Sequence, residues 1–266
     1  MHSRLDVMLC GVDEPEADRI MDGICRMTWE LEARLNRFDP RSDVSNINTG
    51  SGAFDADSEL YDIFKDAERY NLLTRGAFDI AIQTPDFESR NIYFSLDPER
   101  QAIVKEVPEA VFDFGGYAKG YVLELVRKML LQEGLTDALV SFGGSSVLAI
   151  GSRPGREGWE IGIATPSDVH DNSADPQPAS SPEMPLATVT LRNEALSASG
   201  NDGRNDGHIL SPFTNHEITG RRIIAVTAPS PLDCEVLSTA LFAAEEEQRE
   251  TILAGFTTGQ ILYLEY

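Results

Sequence analysis

The spacing of apolar residues changes partway along this 266-residue chain, and that change constrains the fold more than any other feature. In the first half the spacing is helical. Between Asp13 and Asn36, Ile20, Ile24, Met27, Leu31 and Leu35 recur on one face with Glu and Arg between them. Asp39 to Ser42 reads as a turn, and a second helix follows Ser58 as N-cap, with Leu60, Phe64, Ala67 and Leu72 facing inward. Phe78 to Ile82 reads as a short extended piece. A third helix is predicted from Tyr121 to Gln132, stopped by Gly134. Strands are predicted at residues 3–11, 138–142, 147–151, 159–164, 187–191, 223–227 and 260–266, between Gly, Pro and Asn turns. Helices at 231–244, opened by Pro231, and at 245–253 complete the pattern. Helices gathered early and strands gathered late predict an α+β fold. The length suits one large domain over residues 1–266 or two tightly joined ones. Residues 167–185, rich in Pro, Ser and Asp, read as a flexible insert.

The charge balance removes several classes of function. There are 44 acidic and 22 basic residues, a formal net charge of −22. Such a surface repels nucleic acid and anionic lipid, so neither is an expected partner. It repels an anionic nucleotide as well, which would need a lysine, backbone amides or a divalent cation at its site. No apolar run approaches the roughly 20 residues that span a bilayer, and no leader is visible at the start, MHSRLDVMLCG. Either the protein is cytoplasmic, as written, or the chain begins after a removed leader, with a membrane role only if that leader carried a lipid anchor. Cys10, Cys25 and Cys234 form neither a zinc spacing nor a disulfide framework, and Cys25 reads as core.

Two segments carry chemistry. In Asp113-Phe114-Gly115-Gly116-Tyr117-Ala118-Lys119-Gly120-Tyr121 an acid, a glycine pair and a lysine stand where an extended segment gives way to a helix. A helix N-terminus offers unpaired N–H groups and a positive dipole end, and glycine lets phosphates approach the backbone. The spacing is neither that of a P-loop nor that of the dinucleotide fingerprint. Taken alone, a tight strand-to-helix turn with a surface lysine is the simpler account of it. In Pro231 to Phe242, Glu235 and Thr239 stand four apart and share a helical face. A carboxylate and a hydroxyl so stacked suit a hard cation such as Mg²⁺, although ordinary helices hold many such pairs. His208 precedes Ile209-Leu210-Ser211-Pro212 and could serve as a general base near its ordinary pKa of ~6.5.

Taken together and in order, these segments resemble the FAD:protein FMN transferase family, the ApbE-like flavin transferases. Phe38 to Asn48 looks like the family's "F-x-P-x-S-x-[IL]-x-x-[LI]-N" segment, Gly76-Ala77-Phe78-Asp79 like G-x-F-D, and Asp113 to Tyr121 like "D-[LF]-G-G-I-A-K-G-Y". Phe142-Gly143-Gly144, Ser199-Gly200, His208 to Thr214 and Glu235 to Thr239 are similar to "N-x-G-G", "T-S-G", "H-I-[IL]-D-P-x-T-G" and "D-A-L-A-T". The resemblance implies two interleaved α/β subdomains, T-fold-related, with a flavin cleft between them. It implies Mg²⁺-dependent transfer of FMN from FAD to a threonine or serine of an acceptor flavoprotein subunit of a redox complex, with release of AMP. It places Met1, Ala77, Phe78, Asp79, Asp113, Lys119 and Ile209 along the FAD. It assigns Gly116, Glu235, Ser238 and Thr239 to the metal and His208 to catalysis. Members are typically periplasmic or membrane-anchored lipoproteins.

This chain departs from the pattern at several points, among them Asn215 where the histidine motif has glycine and a short segment over 83–112. Glu235 stands where the family has aspartate, Ser211-Pro212 replaces Asp-Pro, and Ile80-Ala81 replaces Pro-Thr. These departures keep a second reading open, an FAD-binding protein with weak or no transferase activity, or an FAD pyrophosphatase.

Overall fold

A computed structural model describes residues 3–164, 185–201 and 209–266. The predicted insert at 167–185 lies outside the described residues except for Pro185, and Met1 and His208 lie outside them too. The chain opens with β1 (Leu5–Leu9) and α1 (Glu14–Leu35), then α2 (Asp43–Thr49), β2 (Gly52–Asp55) and α3 (Ser58–Leu73). Next come β3 (Phe94–Asp97), β4 (Ala102–Lys105) and α4 (Ala118–Gln132). The remainder is β5 (Ala138–Phe142), β6 (Ser146–Ile150), β7 (Trp159–Ile163), β8 (Ala187–Leu191), β9 (Glu194–Gly200), β10 (Arg222–Ala228), α5 (Pro231–Ala243), α6 (Glu246–Leu253) and β11 (Ile261–Glu265). The architecture is α+β, as the apolar spacing predicts.

The antiparallel sheet that positions everything else runs β1-β5-β6-β9-β10-β11. Its two faces follow from strand alternation. Leu148, Ile150, Ile224 and Val226 point into the core shared with α1, α4 and α5. Val147, Ala149, Ile223 and Ala225 point the other way, against Trp159, Val189 and Leu191 of the small β7-β8 sheet. A strand covered on both faces reads as a near-continuous apolar run, and β6 is buried at every position, with Ser146 its one polar residue. A separate three-stranded sheet, β2-β4-β3, lies beside α3.

Helix α1 forms where the sequence predicts it. Asp13 caps it by accepting from the Glu16 N–H, Pro15 stands in the first turn, and Ile20, Ile24, Thr28, Leu31 and Leu35 make the buried stripe. Cys25, expected in the core, is only half-buried, because it sits beside that stripe rather than on it. In α3 the cap is Asp57, which accepts from the Leu60 N–H, and Ser58 is already helical. Leu72, expected inside, is 72% exposed. The inward line runs through Leu60, Ile63, Phe64, Ala67 and Tyr70, and two steps past Tyr70 the helix faces away. Phe78 to Ile82 is a series of turns, not an extended segment. The Asp79 carboxylate bends it by accepting from the Ala81 N–H at 2.8 Å, an Asx turn.

The largest shift of boundary is at α4, which starts at Ala118, so that Lys119 and Gly120 lie in its first turn. Glycine argues against a helix by propensity, but tertiary contact overrides it here. A Cβ on Gly120 would stand 2.6 Å from Glu235 Cβ and 2.9 Å from both Leu232 Cα and the Pro231 carbonyl oxygen. The glycine is therefore what lets α4 and α5 approach so closely.

Candidate active site

The α4–α5 contact brings the two sequence segments together. The Gly115-Gly116 turn precedes α4 and faces the middle of α5. A Cβ built on Gly116 would lie 3.1 Å from Thr239 Oγ1 and 3.4 Å from the Phe78 ring. Asp113 holds this turn. Its Oδ1 accepts from the Gly115 N–H at 2.8 Å, and its Oδ2 forms an ion pair with Arg37 Nε at 2.8 Å.

Beside the turn opens a cavity of about 690 Å³, within the range of small-molecule and cofactor sites. Ala77, Phe78 and Asp79 line it from the turn after α3, Asp113, Gly116 and Lys119 from the start of α4, and Glu235 and Thr239 from α5. Ile209 lines it from the segment after β9. Of the candidate residues in the described chain, only Ser238 is absent from the wall. It is fully buried, and its hydroxyl is engaged with Ser197 (3.1 Å), Ser199 (3.0 Å) and the Glu235 carbonyl (3.1 Å). Met1 and His208 fall outside the described residues.

Glu235 is the electrostatic centre of the site. Helix α5 is buried nearly all round, and Glu235 is 2% exposed. A carboxylate so placed must be paired and hydrogen-bonded. Oε1 is paired with the Lys119 ammonium. Oε2 accepts from Ser146 Oγ at 2.6 Å and from Ser197 Oγ at 2.9 Å. Alternation in β9 explains the second donor. Leu196 and Ala198 face the small sheet, so Ser197 and Ser199 face α5. Ser199 Oγ also lies 3.4 Å from Thr239 Oγ1, which donates to the Glu235 carbonyl at 3.2 Å.

No motif marks a role for Ser146, for Ser197 or for the β7 wall, where Ile161, Gly162 and Ile163 line the cavity. The one signal available for the serines was a small polar residue recurring inside otherwise apolar strands.

Burial pushes the Asp79 carboxyl up to about 6, against the opposing hydrogen bonds from the Ala81 N–H and Asn71. The native state therefore takes up a proton more readily than the unfolded chain, whose aspartates titrate near ~3.9. The stability linked to this group is present at about pH 4 and is lost as pH rises through about 6. At neutral pH the penalty is at most about 3 kcal/mol. Asp79→Asn keeps an acceptor for Ala81 and sacrifices the 2.9 Å bond from Asn71 Nδ2, worth about 1 kcal/mol. We expect the variant to be more stable than the parent by about 1–2 kcal/mol at pH 7.5, and no more stable at pH 4.5. Urea unfolding at the two pH values tests this, and an equal difference at both would contradict it.

Comparison with known proteins gives a consistent result. The sequence profile described as "ApbE family" matches residues 1–261. The chain is 23% identical to a FAD:protein FMN transferase of Klebsiella pneumoniae, covering 93% of this chain and 77% of the relative. It is 25% identical to one of Vibrio cholerae, covering 88% and 74%. Among solved structures, the flavin transferase ApbE from Vibrio cholerae superposes with a TM-score of 0.72 at 21% identity, covering 99% of this chain and 89% of that one. An ApbE protein from Thermotoga maritima gives 0.72 at 24% identity, covering 94% and 86%.

Proposed function

This chain belongs to the ApbE family, and on that premise we propose that it transfers FMN from FAD to a threonine or serine hydroxyl of an acceptor protein. The hydroxyl oxygen attacks the phosphorus of the FMN half, the bond to the AMP oxygen breaks, and AMP leaves. The hydroxyl proton passes to a base. The acceptor is a flavin-carrying subunit of a redox complex. The observation that carries the reading is the meeting of Gly116, Lys119, Glu235 and Thr239 at one cavity.

The donor set fits Mg²⁺. The Glu235 carboxylate, the Thr239 hydroxyl and the Gly116 carbonyl are all hard oxygens, with no nitrogen or sulfur among them. Among the described residues no three His, Cys, Asp or Glu side chains gather as a metal cage. With Glu235 the one carboxylate of this set, an Mg²⁺ there would be held by few protein ligands and would draw the rest from substrate phosphates and water. When bound, such an ion neutralises charge on the diphosphate. Ser238, with its hydroxyl turned to Ser197 and Ser199, fits a support of this set better than a ligand.

The chain's own residues do the positioning that phosphoryl transfer depends on. Lys119 faces the cavity from the first turn of α4 and meets the diphosphate. Asp113 keeps the Gly115-Gly116 turn open to it. Phe78, Ile161 and Ile163 present apolar surface to the flavin and exclude water. We assign the base to His208, since its neighbour Ile209 lines the same cavity.

The test is incubation with FAD, Mg²⁺ and a threonine-bearing acceptor domain. Equal amounts of AMP and covalently flavinylated acceptor are expected. FAD bound but recovered intact, with the acceptor unlabelled, would rule out transfer.

A further inference from the structure

We propose that Lys119 is a displaceable counter-ion that makes cation binding at Glu235 conditional on a diphosphate in the cavity. The proposal rests on the flavin-transfer reading and adds an order of binding to it.

Both oxygens of Glu235 are engaged, but by partners of different kinds. Oε2 is held by Ser146 on β6 and Ser197 on β9, buried hydroxyls whose oxygens are anchored to neighbouring strands of the large sheet. Oε1 is held by Lys119, whose side chain is 21% exposed on the cavity wall. A lysine stem is long and flexible, so its ammonium can swing to another anion without shifting the backbone. The hydroxyls of Ser238 and Thr239 donate to the Glu235 main-chain carbonyl and leave the carboxylate alone. A divalent ion can therefore gain Glu235 only at the oxygen Lys119 holds.

An ammonium and a divalent cation at one oxygen repel strongly in a partly desolvated cavity. The other acids on the wall offer the lysine little alternative. Asp113 is committed to Arg37 and Gly115, and Asp79 to Ala81 and Asn71. A diphosphate supplies the missing charge, since its oxygens can take the ammonium and complete the cation's shell together. Dinucleotide and cation then bind cooperatively, and by linkage each tightens the other by the same factor.

The experiment measures Mn²⁺ binding by the loss of its free EPR signal, with and without FAD carrying a methylene bridge between its phosphorus atoms. This analogue keeps the charges and is not cleaved. In the parent protein, Mn²⁺ should bind at least about tenfold tighter with the analogue present, within the ~5–150-fold span of coupled sites. In Lys119→Gln and Lys119→Met, Mn²⁺ should bind about tenfold tighter than in the parent without the analogue, and the coupling should fall to near one. Lys119→Arg keeps the charge and should keep the coupling. Glu235→Gln should lose Mn²⁺ binding under both conditions. If both neutral variants fold, bind the analogue and still show parental Mn²⁺ affinity and coupling, the proposal alone is overturned. If the parent binds neither analogue nor flavin, the flavin-transfer reading falls, and this one with it.

Discussion

The Glu235→Gln variant is expected to release AMP and label the acceptor about 10²- to 10³-fold more slowly than the parent, the usual cost of removing one preorganised electrostatic group. The substitution keeps the volume and most of the hydrogen bonding. The amide can turn its NH₂ toward Ser146 and Ser197, whose hydroxyls rotate to accept, and leave its oxygen toward Lys119. Charge is what disappears. Lys119 loses its counter-ion, and the cavity loses its one buried carboxylate of the cation set. Because Lys119 borders an open cavity, the protein should still fold, so circular dichroism should match the parent while turnover falls. The Glu235→Asp variant restores a carboxylate one methylene shorter, and should recover part of the rate. If Glu235→Gln binds FAD normally and turns over within about threefold of the parent, the carboxylate has no electrostatic role and the proposed chemistry at this site is wrong.

The second large effect is expected at a residue that touches no ligand. Gly120→Ala should lower both stability and rate. Alanine favours a helix over glycine by about 1 kcal/mol, so on propensity alone the change would stabilise α4. The contact decides otherwise. The new methyl would stand 2.6 Å from Glu235 Cβ and 2.9 Å from main-chain atoms of Pro231 and Leu232. Backbone cannot yield as a side-chain tip can, so the helices must part. Overpacking of this kind costs about 1–3 kcal/mol, which in a chain of this size lowers Tm by roughly 2–10 °C. Parting α4 from α5 also separates Gly116 and Lys119 from Thr239 and Glu235. A displacement near 1 Å at a reacting centre can cost about 10²-fold in rate. Thermal unfolding and AMP release measured together test the account. Unchanged Tm with unchanged turnover would mean that the close approach of these helices does not set the site.

Much of the scaffold was legible in the residues. The period of α1, the Gly134 stop and most of the short strands after it survive in the structure almost to the residue, because each is set by local chemistry. Neither helix α2 nor the body of strand β9 was foreseen, and what else was misread is short or dictated from a distance. The four-residue strands β2, β3 and β4 are below the length at which a period shows. Leu72 was assigned inward by its hydrophobicity alone, although its angular position on α3 faces solvent. The start of α4 was placed after Gly120, because nothing local reveals a helix arriving from residues 231–235.

For the site, the sequence by itself determined which groups are present: a glycine pair before a lysine, and a carboxylate and a hydroxyl four apart on one helix. Motif order was sufficient for the family resemblance because side-chain type and spacing are written in the chain. Only the tertiary structure decided what each group faces. Glu235 meets Lys119, Ser146 and Ser197 across separations of 116, 89 and 38 residues. Such partners are chosen by the crossing of α4 and α5 and by the alternation of β6 and β9. Packing selects them from among many chemically equivalent serines and from four lysines, which is why no local pattern could pair them with Glu235.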